Sequence, residues 1–185
     1  MQAVDVFYLQ MLSPVQMRRK AKPSETLQLI EAREPLPELN RFLYTAVGGD
    51  WYWVDRLPWT YVQWTAAVGH KKHRTFVAYS NGTPAGYFEL QLDAEGGVEL
   101  QYFGLLPAYF GRGIGGWLLS EAIAAAWSWN AKRVWVHTCT LDHASALQNY
   151  TARGFVHYYT DVEHRDLPPK PPGPWPGSLK SNLKT

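Results

Sequence analysis

The chain has 185 residues, a formal net charge of +2, and 46% apolar against 18% charged residues, which excludes an intrinsically disordered protein and favours one folded domain. Its single cysteine, Cys139, excludes an intramolecular disulfide framework and a zinc site built from cysteines. No apolar run approaches the roughly 18 residues of a membrane span and no signal peptide is visible, so we expect a soluble, cytoplasmic protein with no membrane partner.

The first part of the chain predicts two strands and then two helices. Apolar, β-rich runs predict strands over 4–12 and 26–32, and the bounding prolines and glycines predict helices over 37–47 and about 60–68. Between the strands lies a basic cluster at Arg18, Arg19, Lys20 and Lys22. We interpret it as a solvated loop rather than a nucleic-acid-binding face, so no nucleic-acid partner is expected.

The middle of the chain predicts an antiparallel meander, and the part after it alternates strands and helices. Apolar runs over 75–79 and 85–92 flank Asn81-Gly82, a pair typical of a tight hairpin, and a further strand is expected over 98–105. Beyond it we expect a helix to about residue 129, a strand over 133–138, a helix over 144–153 and a strand over 155–162. This order predicts an α/β protein.

The C-terminal segment differs in composition. Six of the 13 prolines lie between Pro168 and Pro176, and this segment holds three lysines and no acid. Because proline fixes φ and lacks an amide donor, we expect one domain over 1–167 and an extended tail over 168–185 that contacts the domain through Trp175. Without the tail the chain has 15 basic and 16 acidic residues, so the tail supplies the positive charge.

The sequence LLPAYFGRGIGGWLL, residues 105–119, carries the strongest functional signal. A strand runs into a glycine-rich turn that opens a helix, so backbone N–H groups can lie close to an anion at the helix N-terminus. Arg112 adds a positive side chain, and the pattern predicts a phosphate-binding loop. A Walker loop is excluded because Trp117 follows the last glycine, and the dinucleotide fingerprint lacks its acidic residue after the next strand.

From Val98 to Tyr159 the chain resembles the GNAT superfamily of acetyl-CoA-dependent N-acetyltransferases. The resemblance rests on the strand VELQYFGLLP, the loop GRGIGG, the helix after it and the block LDHASALQNYTARGF. It implies the GNAT fold, a twisted, mixed and mostly antiparallel sheet with flanking helices, and acetyl-CoA as acyl donor without a metal. The positions that it places at the cofactor are Leu105, Leu106, Gly111, Arg112, Gly113, Ile114, Gly115, Gly116 and His143.

Two positions depart from the pattern of that superfamily. Phe110 stands where Gln or Arg is frequent, and Asp142-His143 stands where Asp-Asn is frequent. Neither departure removes the backbone amides, on which pyrophosphate binding mainly depends.

Acetyl transfer to an amine requires a base for the ammonium, a donor for the tetrahedral oxyanion and an acid for the departing thiolate. The resemblance implies Glu99 as base and Tyr150 as acid, with Glu89 in the neighbouring strand as the reserve base. Strand alternation places Glu99 on the face of Gln101 and Phe103. The expected oxyanion donor is a backbone N–H near Leu105 or Leu106, where the strand of this superfamily bulges and diverges from its neighbour.

The remaining reactive side chains favour structural roles. Cys139 has His137 and His143 nearby in sequence, but no sharp glycine turn presents it, so we interpret it as a buried, inert thiol rather than a nucleophile. His70 and His73 lie in a basic turn without a carboxylate close in sequence, which disfavours a metal site.

Four of the nine tryptophans fall between Trp51 and Trp64, in the region that the resemblance assigns to the acceptor site. We expect Trp51, Trp53 and Trp59 to wall that site and Asp55 to attract a cationic amine, as Asp50 also could, while other rings of the segment build core.

We therefore predict an N-acetyltransferase that acts on a primary amine. A small amine, an amino acid and a protein amine stay open as acceptors, as does a homodimer. The alternative is a non-catalytic acyl-CoA-binding module of the same fold that serves as a sensor or interaction domain.

Overall fold

The computed structural model describes residues 1–178, so the end of the predicted tail, 179–185, lies outside the described residues. Seven strands form one sheet in the order β2-β3-β4-β5-β6-β1-β7. They are β1 (Gln2–Met11), β2 (Leu27–Ala32), β3 (His73–Ser80), β4 (Thr83–Leu92), β5 (Gly97–Leu105), β6 (Arg133–Cys139) and β7 (Val156–Arg165). The helices are α1 (Pro37–Gly48), α2 (Tyr61–Val68), α3 (Ile114–Trp127) and α4 (Ala146–Ala152).

Each predicted element is present, and its ends lie within three residues of the prediction. The local signals explain this agreement. Asn81 and Gly82 adopt φ of 50° and 80°, the left-handed conformation that a tight β3–β4 hairpin requires. Thr60 caps α2 and forms a capping box with Gln63. The predicted α/β class and the mixed, mostly antiparallel sheet are therefore confirmed.

The first strand of the chain completes the far half of the sheet. β1 lies between β6 and β7 and pairs antiparallel with both. Its side chains Val4, Val6, Leu9 and Met11 are fully buried, which fixes its register. β7, which pairs only with β1, is an edge strand of the sheet.

Helices cover both faces of the sheet. α3 packs on one face through its buried side chains, among them Leu118, Leu119 and Ile123. α1 and α2 pack on the other face, where Tyr44 and Trp64 are buried. No helix among residues 1–178 is long and apolar enough to cross a membrane.

β5 and β6 are the one parallel pair of the described sheet, and they pair only briefly. The register runs through Gly97↔Arg133, Val98↔Val134 and Glu99↔Trp135. Beyond Glu99 the two strands diverge and leave a cleft. The prediction that the strands part near Leu105 or Leu106 is therefore wrong, because the separation starts six residues earlier than Leu105.

A bulge in β5 changes which side chains share a face. The β4–β5 register shifts between Glu89↔Tyr102 and Leu90↔Leu100, so that Gln101 is an additional residue in β5. Gln101 and Tyr102 consequently contact the α1–α2 side, whereas Phe103 packs in the α3 core. The alternation that placed Phe103 on the face of Glu99 is wrong, because the bulge reverses the parity of the strand.

A buried carboxylate joins the elements on the α1–α2 side. Glu89 has no exposed surface, and its oxygens lie 2.9 Å from Arg56 Nη1, 3.1 Å from His73 Nε2 and 2.8 Å from Asn40 Nδ2. Burial alone would raise the pKa of Glu89, but these partners hold it below its usual value. Arg56 also donates to Gln101 at 2.8 Å.

This arrangement corrects the role of Glu89 as a reserve base. Its carboxylate is fully occupied by cationic and amide partners and lies outside the cleft. His73, predicted to lie in a basic turn, is instead a buried partner of that carboxylate in β3.

We predict that Arg56→Ala lowers the free energy of unfolding by about 3–5 kcal/mol, because it leaves the buried Glu89 carboxylate without its guanidinium. Arg33→Ala is the matched control. Its ion pair with Glu31 is 3.7 Å long and its side chain is 84% exposed, so its loss should cost about 1 kcal/mol or less. Urea unfolding of the three proteins measures both values, and equal losses in the two variants would contradict a structural role for the cluster.

Candidate functional site

The gap between β5 and β6 opens into a cleft of about 710 Å³, within the range of roughly 300–1,000 Å³ typical of small-molecule sites. β5 from Glu99 to Leu105 forms one wall, and His137 and Cys139 of β6 form the other. The glycine loop, α4 and the segment between α1 and α2, which we call the α1–α2 loop (residues 49–60), complete the lining.

The glycine loop presents an uncapped helix end to this cleft. Gly113 is the N-cap of α3 with φ of 74°, and no side chain among residues 1–178 caps it. The first turn, Ile114–Trp117, contains no acid, and its amides have no partner within the helix. Gly111, Gly115 and Gly116 line the cleft, while the Arg112 guanidinium lies 5.1 Å from the Tyr109 ring centroid. The loop is thus suited to an anion.

Two cations outside the glycine motif reach the same turn. A Cβ atom on Gly116 would lie 2.9 Å from Nη1 of Arg153 and 3.3 Å from Cγ of Lys20. Nε of Arg153 is buried without a hydrogen-bond partner among residues 1–178. Neither residue was predicted at the glycine loop, because Lys20 lies in the segment after β1 and Arg153 directly follows α4.

The basic cluster that contains Lys20 is exposed, as predicted for a loop, but it is also held against α3. The Lys20 N–H donates to Ser120 Oγ at 2.8 Å, and Arg19 Nη2 pairs with Glu121 at 2.7 Å. Only the tertiary structure brings this cluster to the glycine loop.

Glu99 forms a pair with a histidine across the point where the strands part. Its Oε1 lies 3.2 Å from Nδ1 of His137, and its side chain is 14% exposed. Hydrogen bonding to Glu99 raises the pKa of His137 above its usual value, and the charges of Glu99 and Asp142 contribute. Strand alternation in RVWVHTC, which directs Trp135, His137 and Cys139 to one face, is the signal that could have identified His137.

Tyr150 lies on α4 with its ring between Phe103 and Phe155, and it lines the cleft. Burial, followed by the negative charge of Asp142, raises the pKa of its hydroxyl well above the usual value. The phenol therefore keeps its proton at neutral pH.

Two backbone N–H groups, those of Leu105 and Leu106, were predicted near the oxyanion, and one of them is hydrogen-bonded within the sheet. The Leu106 N–H donates to the Ala85 carbonyl oxygen at 2.9 Å. Because successive amides of a paired strand point to opposite edges, the Leu105 N–H is turned away from β4, and Leu105 lines the cleft whereas Leu106 does not.

Cys139 lines the cleft beside these groups. Burial and the nearby charge of Asp142 raise the pKa of its thiol. The side chain is half-buried rather than buried as predicted. A protonated thiol is a poor nucleophile, and the inertness of Cys139 stays a prediction.

The predicted aromatic wall is partly formed. Trp53 lines the cleft and packs on Tyr44 and Tyr102, with ring centroids 5.5 and 5.0 Å away. Trp51 also lines it, and its ring centroid is 5.2 Å from that of His143. Trp59 lies outside the cleft, because its ring packs on Arg56 and Trp64.

The charged side chains of this part of the cleft are mainly acidic. Asp55 lines it, and its Oδ2 lies 3.8 Å from Nη1 of Arg165 at the end of β7. Asp142 accepts from the Thr138 hydroxyl at 2.7 Å and from the Cys139 N–H at 3.1 Å. Asp50 lies outside the cleft, so Asp55 and Glu99 are the acids available to a cationic ligand.

Comparison with known proteins identifies the family of this chain. The model of the acetyltransferase (GNAT) family matches residues 35–155. No curated protein matches the sequence.

Solved structures share the fold at low identity. A GCN5-related N-acetyltransferase from Sphaerobacter thermophilus is 17% identical with a TM-score of 0.66, over 86% of this chain and 50% of that one. One from Kribbella flavida is 18% identical with a TM-score of 0.62, over 85% and 56%. An aminoglycoside acetyltransferase from a soil metagenomic sample is 13% identical with a TM-score of 0.60, over 75% and 97%. The chain thus spans about half the length of the first two structures.

We predict that the Glu99–His137 pair stabilises the protein at low rather than high pH. The pKa of His137 is raised in the folded protein, so its stabilisation is fully present below the unfolded value of about 6.5 and is lost as the pH rises through the raised value. The difference in free energy of unfolding between the native protein and Glu99→Gln should therefore be larger at pH 6 than at pH 9. NMR titration should show the His137 pKa falling in this variant and not in the control Glu95→Gln, an exposed turn residue; an unchanged His137 pKa would refute the pairing.

Proposed function

Because this chain belongs to the GNAT acetyltransferase family, we propose that it transfers the acetyl group of acetyl-CoA directly to a primary amine. One observation carries this proposal: a single cleft brings together an uncapped helix N-terminus, a carboxylate–imidazole pair and a buried phenol. These groups are suited to bind an anion, to accept a proton and to donate one.

The first turn of α3 is the proposed site for the pyrophosphate of coenzyme A. Its free amides and positive dipole end favour phosphate, and Lys20 and Arg153 add cations next to Gly116. Arg112 and His143 stay candidate contacts of the cofactor. Bound there, acetyl-CoA supplies the thioester carbonyl that an amine attacks.

Glu99 is the proposed base. It lies at the point where β5 and β6 separate, with a mostly buried side chain whose Oε1 is 3.2 Å from Nδ1 of His137. The carboxylate takes a proton from the acceptor ammonium, directly or through a water molecule, and His137 orients it and shares the proton.

Tyr150 is the proposed acid, and the Leu105 N–H is the proposed oxyanion donor. Tyr150 lines the cleft and is protonated at neutral pH, so it can donate its proton to the thiolate of the departing coenzyme A. The Leu105 amide is turned away from β4, so it can donate to an oxyanion that forms in the cleft.

The acceptor class is supported by the lining of the α1–α2 side. Asp55 and Glu99 attract an ammonium group, and Trp51 and Trp53 offer ring faces to it or to an apolar body. The solved structures of similar fold are 13–18% identical to this chain, which is too low to transfer an acceptor from them. The proposed acceptor is therefore a primary amine, without a particular compound.

Glu99→Gln and Tyr150→Phe should each lower kcat by about 10²-fold or more, because general acid–base groups contribute roughly 10²–10⁴-fold. The dissociation constant for acetyl-CoA should stay unchanged in both variants. Coenzyme A release in the presence of an amine library measures the rate, and calorimetry measures binding. Glu95→Gln, in the β4–β5 turn, is the control and should retain full activity.

Two outcomes would contradict the proposal. Tight binding of acetyl-CoA without amine-dependent release of coenzyme A would favour the non-catalytic module. Binding of NAD without binding of coenzyme A would refute both functions.

We predict that Gly115→Glu abolishes coenzyme A binding and that Gly115→Ala retains it. A Cβ on Gly115 makes only ordinary contacts, 3.7 Å from Leu105 Cδ1 and 3.9 Å from Asn149 Nδ2, so alanine fits. Glutamate places a negative charge at the end of α3 that should bind phosphate, and the two charges repel. Calorimetric titration with coenzyme A compares the two variants, with circular dichroism to verify folding. Equal affinities would refute the assignment of the loop.

A further inference from the structure

The proline-rich segment after β7 returns to the α1–α2 loop, the part of the cleft that carries Trp51, Trp53 and Asp55. The Gly173 N–H donates to the Gly49 carbonyl oxygen at 2.9 Å. This contact differs from the predicted attachment through Trp175, whose side chain is 65% exposed. The tail is therefore joined to the domain by its backbone.

The contact at Gly49 requires the absence of a side chain. A Cβ on Gly49 would lie 2.5 Å from the carbonyl carbon of Gly173 and 2.7 Å from the nitrogen of Pro174. Gly173 has φ of 66°, a conformation that favours glycine. Two glycines thus allow the two backbones to lie in direct contact.

The same segment also touches the loop where it leaves the sheet. Arg165, the last residue of β7, has its Nη1 3.8 Å from Oδ2 of Asp55, while its Nε donates to Glu163 at 2.7 Å. Residues 165–173 therefore contact the α1–α2 loop at two positions, Asp55 and Gly49, which lie on either side of Trp51 and Trp53.

The stretch between these two contacts is stiff. Four of its residues are prolines, at 168, 169, 171 and 172. The chain bends at residues 169–170, which lets the stretch turn back towards the loop. Because proline restricts the unbound chain, this stretch loses little conformational entropy when it docks.

The α1–α2 loop is also closely packed against the end of α1. The Trp53 ring lies directly on the backbone of Gly48, the Trp53 N–H donates to the Gly48 carbonyl at 3.3 Å, and Tyr52 adopts φ of 59°. The loop is held on the inside by Gly48 and on the outside by the tail, so both contacts set the position of its aromatic side chains.

We propose that the segment 166–174 is a brace that positions the α1–α2 loop for the acceptor amine, an inference that rests on the proposed function. Gly49 and Gly173 act as positioning residues, since they reach the acceptor only through Trp51, Trp53 and Asp55. The glycine loop and α4 lie outside this contact. Trp51 also packs on Phe110 and His143, with ring centroids 6.5 and 5.2 Å away, so the brace affects the acceptor directly and coenzyme A binding only through Trp51.

The test uses Gly173→Pro in the full chain, because proline removes the N–H and cannot adopt a positive φ. Gly177→Pro is the matched control: Gly177 has φ of 84° in the same tail, and a Cβ there has no atom within 4 Å. Gly173→Pro should raise the KM for the amine about three- to tenfold, as expected for a lost hydrogen bond and its packing. It should raise the KM for acetyl-CoA less than the KM for the amine, and it should speed hydrogen exchange in residues 49–55. The control should change none of these quantities.

A second variant, Gly49→Ala, disrupts the contact from the loop side. The double variant should show no larger effect than the stronger single one, because both remove the same contact. Unchanged hydrogen exchange in 49–55, or an equal rise in the KM for acetyl-CoA, would overturn the brace. If the native protein acetylates no amine, the proposed function fails, while the exchange measurement still decides whether the tail holds the loop.

Discussion

The separation of two parallel strands is the constraint on which the rest of this structure depends. β5 and β6 pair only from Gly97 to Glu99, after which each continues alone. The unpaired stretch of β5 keeps its other edge bonded to β4, so its free amides face the cleft without leaving the sheet. The glycine loop and α3 follow directly from the end of β5, and α4 follows β6. Thus one divergence places a helix N-terminus, a carboxylate and a phenol around the same space.

Polar and aromatic groups on the α1–α2 side support the β5 wall of the cleft. The Gln101 bulge turns Gln101 towards Arg56, and Arg56 pairs with the buried Glu89. This cluster is costly to desolvate and needs every one of its partners. It connects α1, the α1–α2 loop and strands β3, β4 and β5 through hydrogen bonds and ion pairs. The aromatic side chains around Tyr44 pack against this cluster, so that the cleft wall is built on a fixed base.

Several assignments depended on spacing in the chain and failed for that reason. Glu89 and Glu99 are both strand glutamates, and the sequence offered no means to tell which one is buried. Arg56 and His73 approach Glu89 from positions 33 and 16 residues away, which no local pattern indicates. Trp59 was grouped with Trp51 and Trp53 by proximity in sequence, yet the loop turns it towards Arg56. Likewise, Lys20 reaches the glycine loop only because the segment after β1 is held against α3, and Arg153 does so only because the end of α4 lies beside α3.

The sequence by itself determined the elements, the α/β class and the glycine loop, because each depends on short-range signals. Periodicity, the Asn81-Gly82 turn, the Thr60 cap and the glycines before α3 act within a few residues, so they could be predicted from the chain alone. The tertiary structure alone decided where β5 and β6 part, which carboxylate pairs with His137, and where the tail docks. Those outcomes depend on contacts between distant segments, and a one-residue bulge is enough to reverse a face. The docking of the tail also depends on a long-range contact, because one hydrogen bond joins the backbones of Gly49 and Gly173, which lie 124 residues apart in the chain.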